Sequence, residues 1–237
     1  MTAFLARRAA GTLVVLLALY CTTFLLMRAA PGGPFDADRA LDPVTLGAIR
    51  AQYHLDDPLA SQLGRGLGDL LQGDLGPSLL HRDLSVAAVL REGLATSAPL
   101  GLAALVLGLL IGTGCALAGA LRPGGALDRV GNAGAAACLA LPTFVLAGLL
   151  ILSLAFAGPR LPAAGWGRPA HTVLPCLTLA AAPAAAVFRT LRNALAQSLP
   201  PSAWRAARAR GLSRRAVLMR HALRPALLPL TGLLPPL

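Results

Sequence analysis

The stretch AAGTLVVLLALYCTTFLLM, residues Ala9–Met27, runs for 19 residues without a charge. As a helix it is about 28 Å long, close to the hydrocarbon thickness of a bilayer. It follows Arg7 and Arg8. A cleaved signal peptide also starts basic and turns apolar, but its apolar core is about 7–15 residues long. A cut after Ala30 would also leave Arg28 where a small residue is required. The run therefore reads as a retained membrane helix. Three more uncharged apolar runs follow, Pro99–Leu121, Val130–Ala157 and roughly Thr172–Phe188. A charge at the centre of a membrane helix costs about 2.5–3.5 kcal/mol, so its absence from all of them is informative. Pro142, Pro175 and Pro183 mark expected kinks.

Composition agrees. The 237 residues are 56% hydrophobic and only 13% charged, against about 25% for a soluble globular domain, and the mean hydropathy is +0.66. All 21 basic residues are arginine, giving a net charge of +11. In a soluble protein that excess would point to nucleic acid. Here the arginines lie between apolar runs and have no aromatic interleaving beyond Trp204, so no nucleic-acid partner is expected. Cys21, Cys115, Cys138 and Cys176 all fall inside apolar runs, with no CxxC pair, and read as small buried hydrophobes. His54, His81 and His171 are scattered and form no metal set; His221 reads as an ordinary loop histidine. No metal or cofactor is expected.

Arginine counts assign the sides of the membrane. Arg7 and Arg8 precede the first run, Arg122 and Arg129 follow the second, and nine arginines from Arg189 to Arg224 follow the fourth. Strict alternation puts all three groups on the cytoplasmic face, with the N-terminus cytoplasmic. Residues 28–98 hold nine of the ten acids and fall outside. There DPVTLGAIRAQY (42–53) and DPLASQLGRGLGDLLQ (57–72) read as short amphipathic helices. The expected fold is all-α and polytopic: four complete transmembrane helices plus the start of a fifth, with a small extracytoplasmic helical region. Its parts are 1–27, an N-terminal segment and first helix; 28–98, extracytoplasmic; and 99–237, a membrane domain with a cytoplasmic loop at 189–225. The short loop at 122–129 offers Asp128 and Arg129 as a local ion pair. The small residues of LGLLIGTGCALAGA read as helix packing.

The loop carries more order than orientation demands. Ser202 is a candidate N-cap, SAWRAARAR contains helix formers throughout, and Gly211 suits a left-handed C-terminal cap. A second helix restarts at Ser213 and runs to Pro225. Ala206, Ala207 and Gly211 give Ala-Ala-x-x-x-Gly, and Arg220-His221-Ala222-Leu223-Arg224 leads into Leu228-Pro229. This loop resembles the "EAA" signature of permease subunits of binding-protein-dependent ABC importers, in the first-subunit form of the dipeptide, oligopeptide and nickel type. Arg205 stands where the general signature has glutamate, and Pro225 where the subfamily commonly has asparagine. The strings YHLDDPLASQL (53–63), QGDLGPSL (72–79), ALDRVGN (126–132), LALPTFVLAGLLILSLAF (139–156), LPAAGW (161–166) and HTVLPCLTLA (171–180) extend the resemblance along the chain, in the family's order.

The resemblance implies a transport subunit and no enzyme. The loop would form a coupling helix, with Arg205, Ala206, Ala207, Arg208, Ala209, Arg210, Gly211 and Leu212 docking on a cytoplasmic ATPase. Alanines allow close approach, and arginines can pair with acids or anionic lipid. Implied partners are a second homologous permease subunit, two cytoplasmic ATPase subunits, an extracytoplasmic solute-binding protein near residues 28–98, and membrane lipid. The site is the plasma (inner) membrane of a bacterium and the cargo peptides or similar small solutes. Pro142 and Thr143 are pathway candidates. A chain without lysine holds no G-x-x-x-x-G-K-[ST] motif, so hydrolysis falls to other subunits. An intramembrane enzyme lacks support, because no charged cluster lies within the spans. The apolar stub Ala226–Leu237 is about half a span, which raises the alternative of a truncated permease fragment. A secondary transporter without an ATPase partner is the other alternative.

Overall fold

A computed structural model describes residues 2–29, 47, 54–78, 84–158, 161–198 and 201–232. The expected helix at 42–53 lies outside them, Gly47 apart, as does the side chain of Arg208. The described residues are mostly helical, with an isolated antiparallel bridge between Pro77 and Ser85. The chain divides into two compact units, Met1–Leu94 and Ala95–Leu237.

In the first unit, α1 (Thr2–Ala29) is long and apolar enough to cross a membrane. Its leucines and valines, Leu13, Val14 and Val15 among them, lie exposed, as lipid-facing side chains do. Near its end the Arg28 guanidinium lies 5.6 Å over the Phe24 ring. α2 (Leu59–Leu71) follows Pro58, which suits a helix start because its nitrogen has no proton to satisfy. Gln62 donates to the carbonyls of Leu55 and Asp57, at 3.0 and 2.7 Å, and Arg65 pairs with the Asp57 carboxylate. Gly66 lets the Tyr20 hydroxyl of α1 come against α2, where a Cβ would sit 2.2 Å away.

α3 (Val86–Leu121) starts earlier than the expected span at Pro99. Ser85 caps it, its hydroxyl accepting from the Ala88 N–H at 3.1 Å, and the alanines and leucines that follow carry the helix through Pro99. Within the second unit α3 buries only small residues: Ala104, Gly108, Gly112, Ala116 and Gly119. That stripe meets α6 (Pro169–Ser198). A Cβ on Gly108 would lie 2.9 Å from the Ala180 carbonyl oxygen, and one on Gly112 2.5 Å from that of Ala184. The α3 glycines lie against the α6 backbone and the Cβ atoms of Pro183 and Val187, the close approach that small-residue spacing permits in lipid.

The third apolar run departs from expectation. It forms α4 (Ala126–Ala140) and α5 (Thr143–Leu150), the latter continued by a π-helical turn Ile151–Phe156, and the two pieces are bent by 118°. The cause is local. A residue before proline is pushed out of the helical region, and Leu141 is extended at φ −83°, ψ 132°, followed by Pro142 at φ −56°, ψ 141°. By length and composition there are three candidate spans, α1, α3 and α6, and up to four if the bent pair counts as one.

α7 (Pro201–Ala209) and α8 (Arg214–Val217) follow, then a π-helical turn Leu218–Ala222, α9 (Leu223–Ala226) and a 3-10 turn Leu228–Gly232. Pro225 has no N–H for the carbonyl four residues back, and the wider π turn just before it relieves the mismatch. The core lies where this segment meets α6. Leu191 and Leu195 of α6 pack with Leu218, Ala222 and Ala226, and with Ala116 and Ala135 of α3 and α4. Between α3, α4, α5 and α6 an apolar cavity of about 380 Å³ remains, lined by Gly112, Cys115, Gly134, Cys138, Leu146 and Phe188 among others.

If the α3–α6 contact holds the second unit together, Gly112→Val should destabilise it by about 1–3 kcal/mol through overpacking. Gly114→Val, on the same helix with nothing within 4 Å, is the control. Thermal unfolding of the purified protein, followed by tryptophan fluorescence, separates the two; equal midpoints would contradict the packing account.

Candidate coupling site at the arginine-rich segment

α7 begins at Pro201, a favoured first helical residue, so Ser202 lies inside the first turn rather than capping it. The other end is as the sequence implies. Gly211 sits at φ +79°, and the Leu212 N–H reaches back to the Ala207 carbonyl at 3.2 Å. That six-to-one bond with a left-handed glycine is the Schellman closure, which satisfies one of the orphan carbonyls of the last turn. Arg205, Ala206, Ala209 and Arg210 are exposed. Their spacing places them on one helical face, with methyl groups between guanidinium stems. Trp204 and Ala207, three apart, are half-buried on the opposite face, and Leu212 is half-buried behind the turn.

After the turn, Ser213 caps α8, its hydroxyl accepting from the Ala216 N–H at 3.2 Å. Val217, Leu218, Ala222 and Ala226 are buried while Arg214, Arg215, Arg220, His221 and Arg224 stay exposed. A merely solvated basic loop would not present this division. The segment is docked through an apolar face and shows its charge outward.

The neighbourhood contains a polar cluster that the sequence did not reveal. Asp128, only 2% exposed, stands on the first turn of α4. Its carboxylate accepts from Arg192 Nε at 3.0 Å and Nη2 at 2.9 Å, from the Gly124 N–H at 2.8 Å, and from Asn132 Nδ2 at 3.1 Å. The lone-pair positions of a carboxylate are thereby filled. The expected Asp128–Arg129 pair is therefore replaced by Asp128–Arg192, a fork-to-carboxylate contact across 64 residues of sequence. Arg129 is exposed. Adjacency misleads here because neighbours on a helix point apart. Gly124, at φ +73°, turns its N–H onto the carboxylate, and Gly119 gives it room: a Cβ there would lie 3.2 Å from Asp128 Oδ1. The signal available in sequence was that Asp128 is the only acid after Glu92, amid an excess of arginine.

Arg214 ties α7 and α8 to α3. Its guanidinium lies 5.9 Å over the Trp204 ring, and its Nη1 donates to the Leu121 carbonyl, at the last residue of α3, at 3.0 Å. Of the sequence candidates, those in the loop thus form one helix and its turn. Pro142 and Thr143 stand apart, exposed at the break between α4 and α5, and do not line the apolar cavity. Among the described residues no group of three or more His, Cys, Asp or Glu is placed to hold a metal ion.

Comparison with known proteins gives consistent matches. Residues 98–236 match the family of binding-protein-dependent transport system inner membrane components. Residues 1–77 match the N-terminal family of such membrane components. The chain is 36% identical over 238 residues to the oligopeptide transport system permease protein OppB of Salmonella typhimurium, covering 100% of this chain and 78% of that protein. To OppB of Escherichia coli K12 it is 35% identical with the same coverage. To the dipeptide transport system permease protein DppB of Bacillus subtilis it is 36% identical over 225 residues, 95% of this chain and 72% of that one.

The turn at Gly211 yields a direct test. Alanine in the left-handed region costs about 1 kcal/mol, so Gly211→Ala should raise the open population of the α7–α8 turn, and with it tryptic cleavage after Arg210, roughly fivefold. Gly211→Asn, which tolerates that conformation, should rise less. Cleavage of Gly211→Ala at the parent rate would mean that the turn imposes no constraint.

Proposed function

The chain belongs to the family of binding-protein-dependent transport system inner membrane components, and from that premise we propose that it is the membrane permease subunit of an ATP-driven importer for peptides or similar small solutes. It is a transport subunit rather than an enzyme. The names of its relatives, oligopeptide and dipeptide transport permeases, support the solute class. The observation that carries the reading is α7: a short helix with a rigid glycine closure, docked through one face and offering Arg205, Ala206, Ala209 and Arg210 on the other.

In this reading the segment 205–212 docks on a cytoplasmic ATPase through its exposed face, with Ala207 and Leu212 supporting it from behind. Alanine methyls permit backbone-close docking, and the guanidinium groups meet acids on the partner, steering association and fixing register. The helix transmits displacement and has no need of a reactive group. The remaining assignments follow from arginine asymmetry: N-terminus and the 189–225 loop cytoplasmic, residues 28–98 extracytoplasmic and near the solute-binding protein, residues 99–237 the transport domain. The assembly comprises a second homologous permease, two ATPase subunits and the binding protein, set in the lipid of a bacterial plasma membrane. Pro142 and Thr143, at the helix break, are assigned to the solute route, because irregular backbone at membrane depth is tolerated where it lines a cavity or is covered by protein.

Site-directed crosslinking tests the docking. Ala206→Cys, exposed on the outward face of α7, should crosslink to a cysteine in a transport-active ATPase partner, while Ala185→Cys, buried in α6, should not. Failure of Ala206→Cys to crosslink in a complex that still imports solute would remove the coupling assignment, as would labelling of that cysteine from the outer compartment.

A further inference from the structure

We infer that the Asp128–Arg192 pair, together with Arg214, is the joint that makes the cytoplasmic ends of α3, α4 and α6 follow α7 when it moves. This rests on the reading of α7 as the ATPase-contacting helix. Three helices meet at one carboxylate: Asp128 is on α4, Arg192 is on α6, and Gly119 of α3 approaches so closely that a Cβ there would crowd the carboxylate oxygen. Arg214 then joins the α7–α8 segment to the same place, stacking on Trp204 and binding the terminal carbonyl of α3. A small pocket of about 60 Å³ is lined by Asp128, Arg192 and Trp204, with Pro123 and Leu218 among others. It is large enough for ordered water between polar groups.

A forked pair suits this work better than apolar packing. Apolar contacts slide with little change in energy, whereas two parallel charge-assisted bonds fix both distance and angle. The Gly124 N–H and Asn132 hold the carboxylate from the α4 side, so Asp128 cannot turn to follow Arg192 without losing bonds. Displacement of α7 therefore moves the helix ends as a set. Asp128, Arg192 and Arg214 are positioning residues; none of them needs to touch solute or nucleotide.

The test uses the full complex, reconstituted in vesicles with its ATPases, second permease and binding protein, with labelled tri-alanine as the probe. Uptake and ATP hydrolysis are measured together, and co-purified ATPase reports assembly. Asp128→Asn should assemble and hydrolyse within about twofold of the parent, while uptake per ATP falls about tenfold, inside the usual range for coupling between sites. Arg192→Lys, which keeps the charge and loses the fork, should fall between. Unchanged uptake per ATP in assembled Asp128→Asn overturns the inference, and so does a fall in uptake and hydrolysis in equal proportion. If Asp128→Asn does not assemble, Arg214→Gln at an exposed position decides: a reduced ratio supports the joint and an unchanged ratio overturns it. A parent complex in which Ala206→Cys never meets an ATPase would instead sink the reading of α7 itself.

Discussion

Direct backbone contact between α3 and α6 is the constraint on which the second unit depends. In a hydrocarbon solvent, burying leucine against leucine gains little over burying it against lipid, so association has to come from close van der Waals contact and from polar groups meeting one another. The Ala104–Gly108–Gly112–Ala116–Gly119 stripe supplies the first. It brings the helices near enough for the second, because Gly119 at its end leaves room for Asp128. The apolar face of the arginine-rich segment then finds a firm floor in Leu191 and Leu195. Small-residue packing along the helices and charge at their ends are thus one construction.

Much of this was legible in the sequence because the signals were local and strong. Charge-free runs mark helices in lipid, glycine marks a helix end, and arginines flank spans. Ala9–Met27 and Gly211 are read from a few neighbouring residues, and the structure has a helix and a left-handed closure at those places. The Ala-Ala-x-x-x-Gly spacing and the ordered strings led to the family that the comparisons establish.

What was not legible depended on pairs distant in sequence or on competition between local rules. Adjacency in sequence offered Asp128 only Arg129 beside it, whereas the fold pairs it with Arg192, far along the chain. The Val130–Ala157 run had the length of a span and a kink was expected at Pro142, but the size of the bend, 118°, was not legible. Pro99 sent the opposite message: it reads as a helix start, yet the helix passes through it. Ser202 and Pro201 both favour a helix beginning, and proline's preset backbone took the first position. The two faces of α7 likewise needed the tertiary contact of Trp204 and Arg214 before its buried and exposed sides could be told apart.

The bend at Leu141–Pro142 has one more consequence. The Ala137 carbonyl and the Val145 and Leu146 N–H groups find partners at the bend, but the carbonyls of Cys138 to Ala140 and the N–H groups of Thr143 and Phe144 have no helical continuation to absorb them, and oil offers them nothing. Any setting at membrane depth must therefore furnish hydrogen-bonding company at that corner, from another polypeptide or from solvent. Set at that depth, the bend would be a hydrophilic foothold in an otherwise greasy wall, and lipid alone could not be its neighbour.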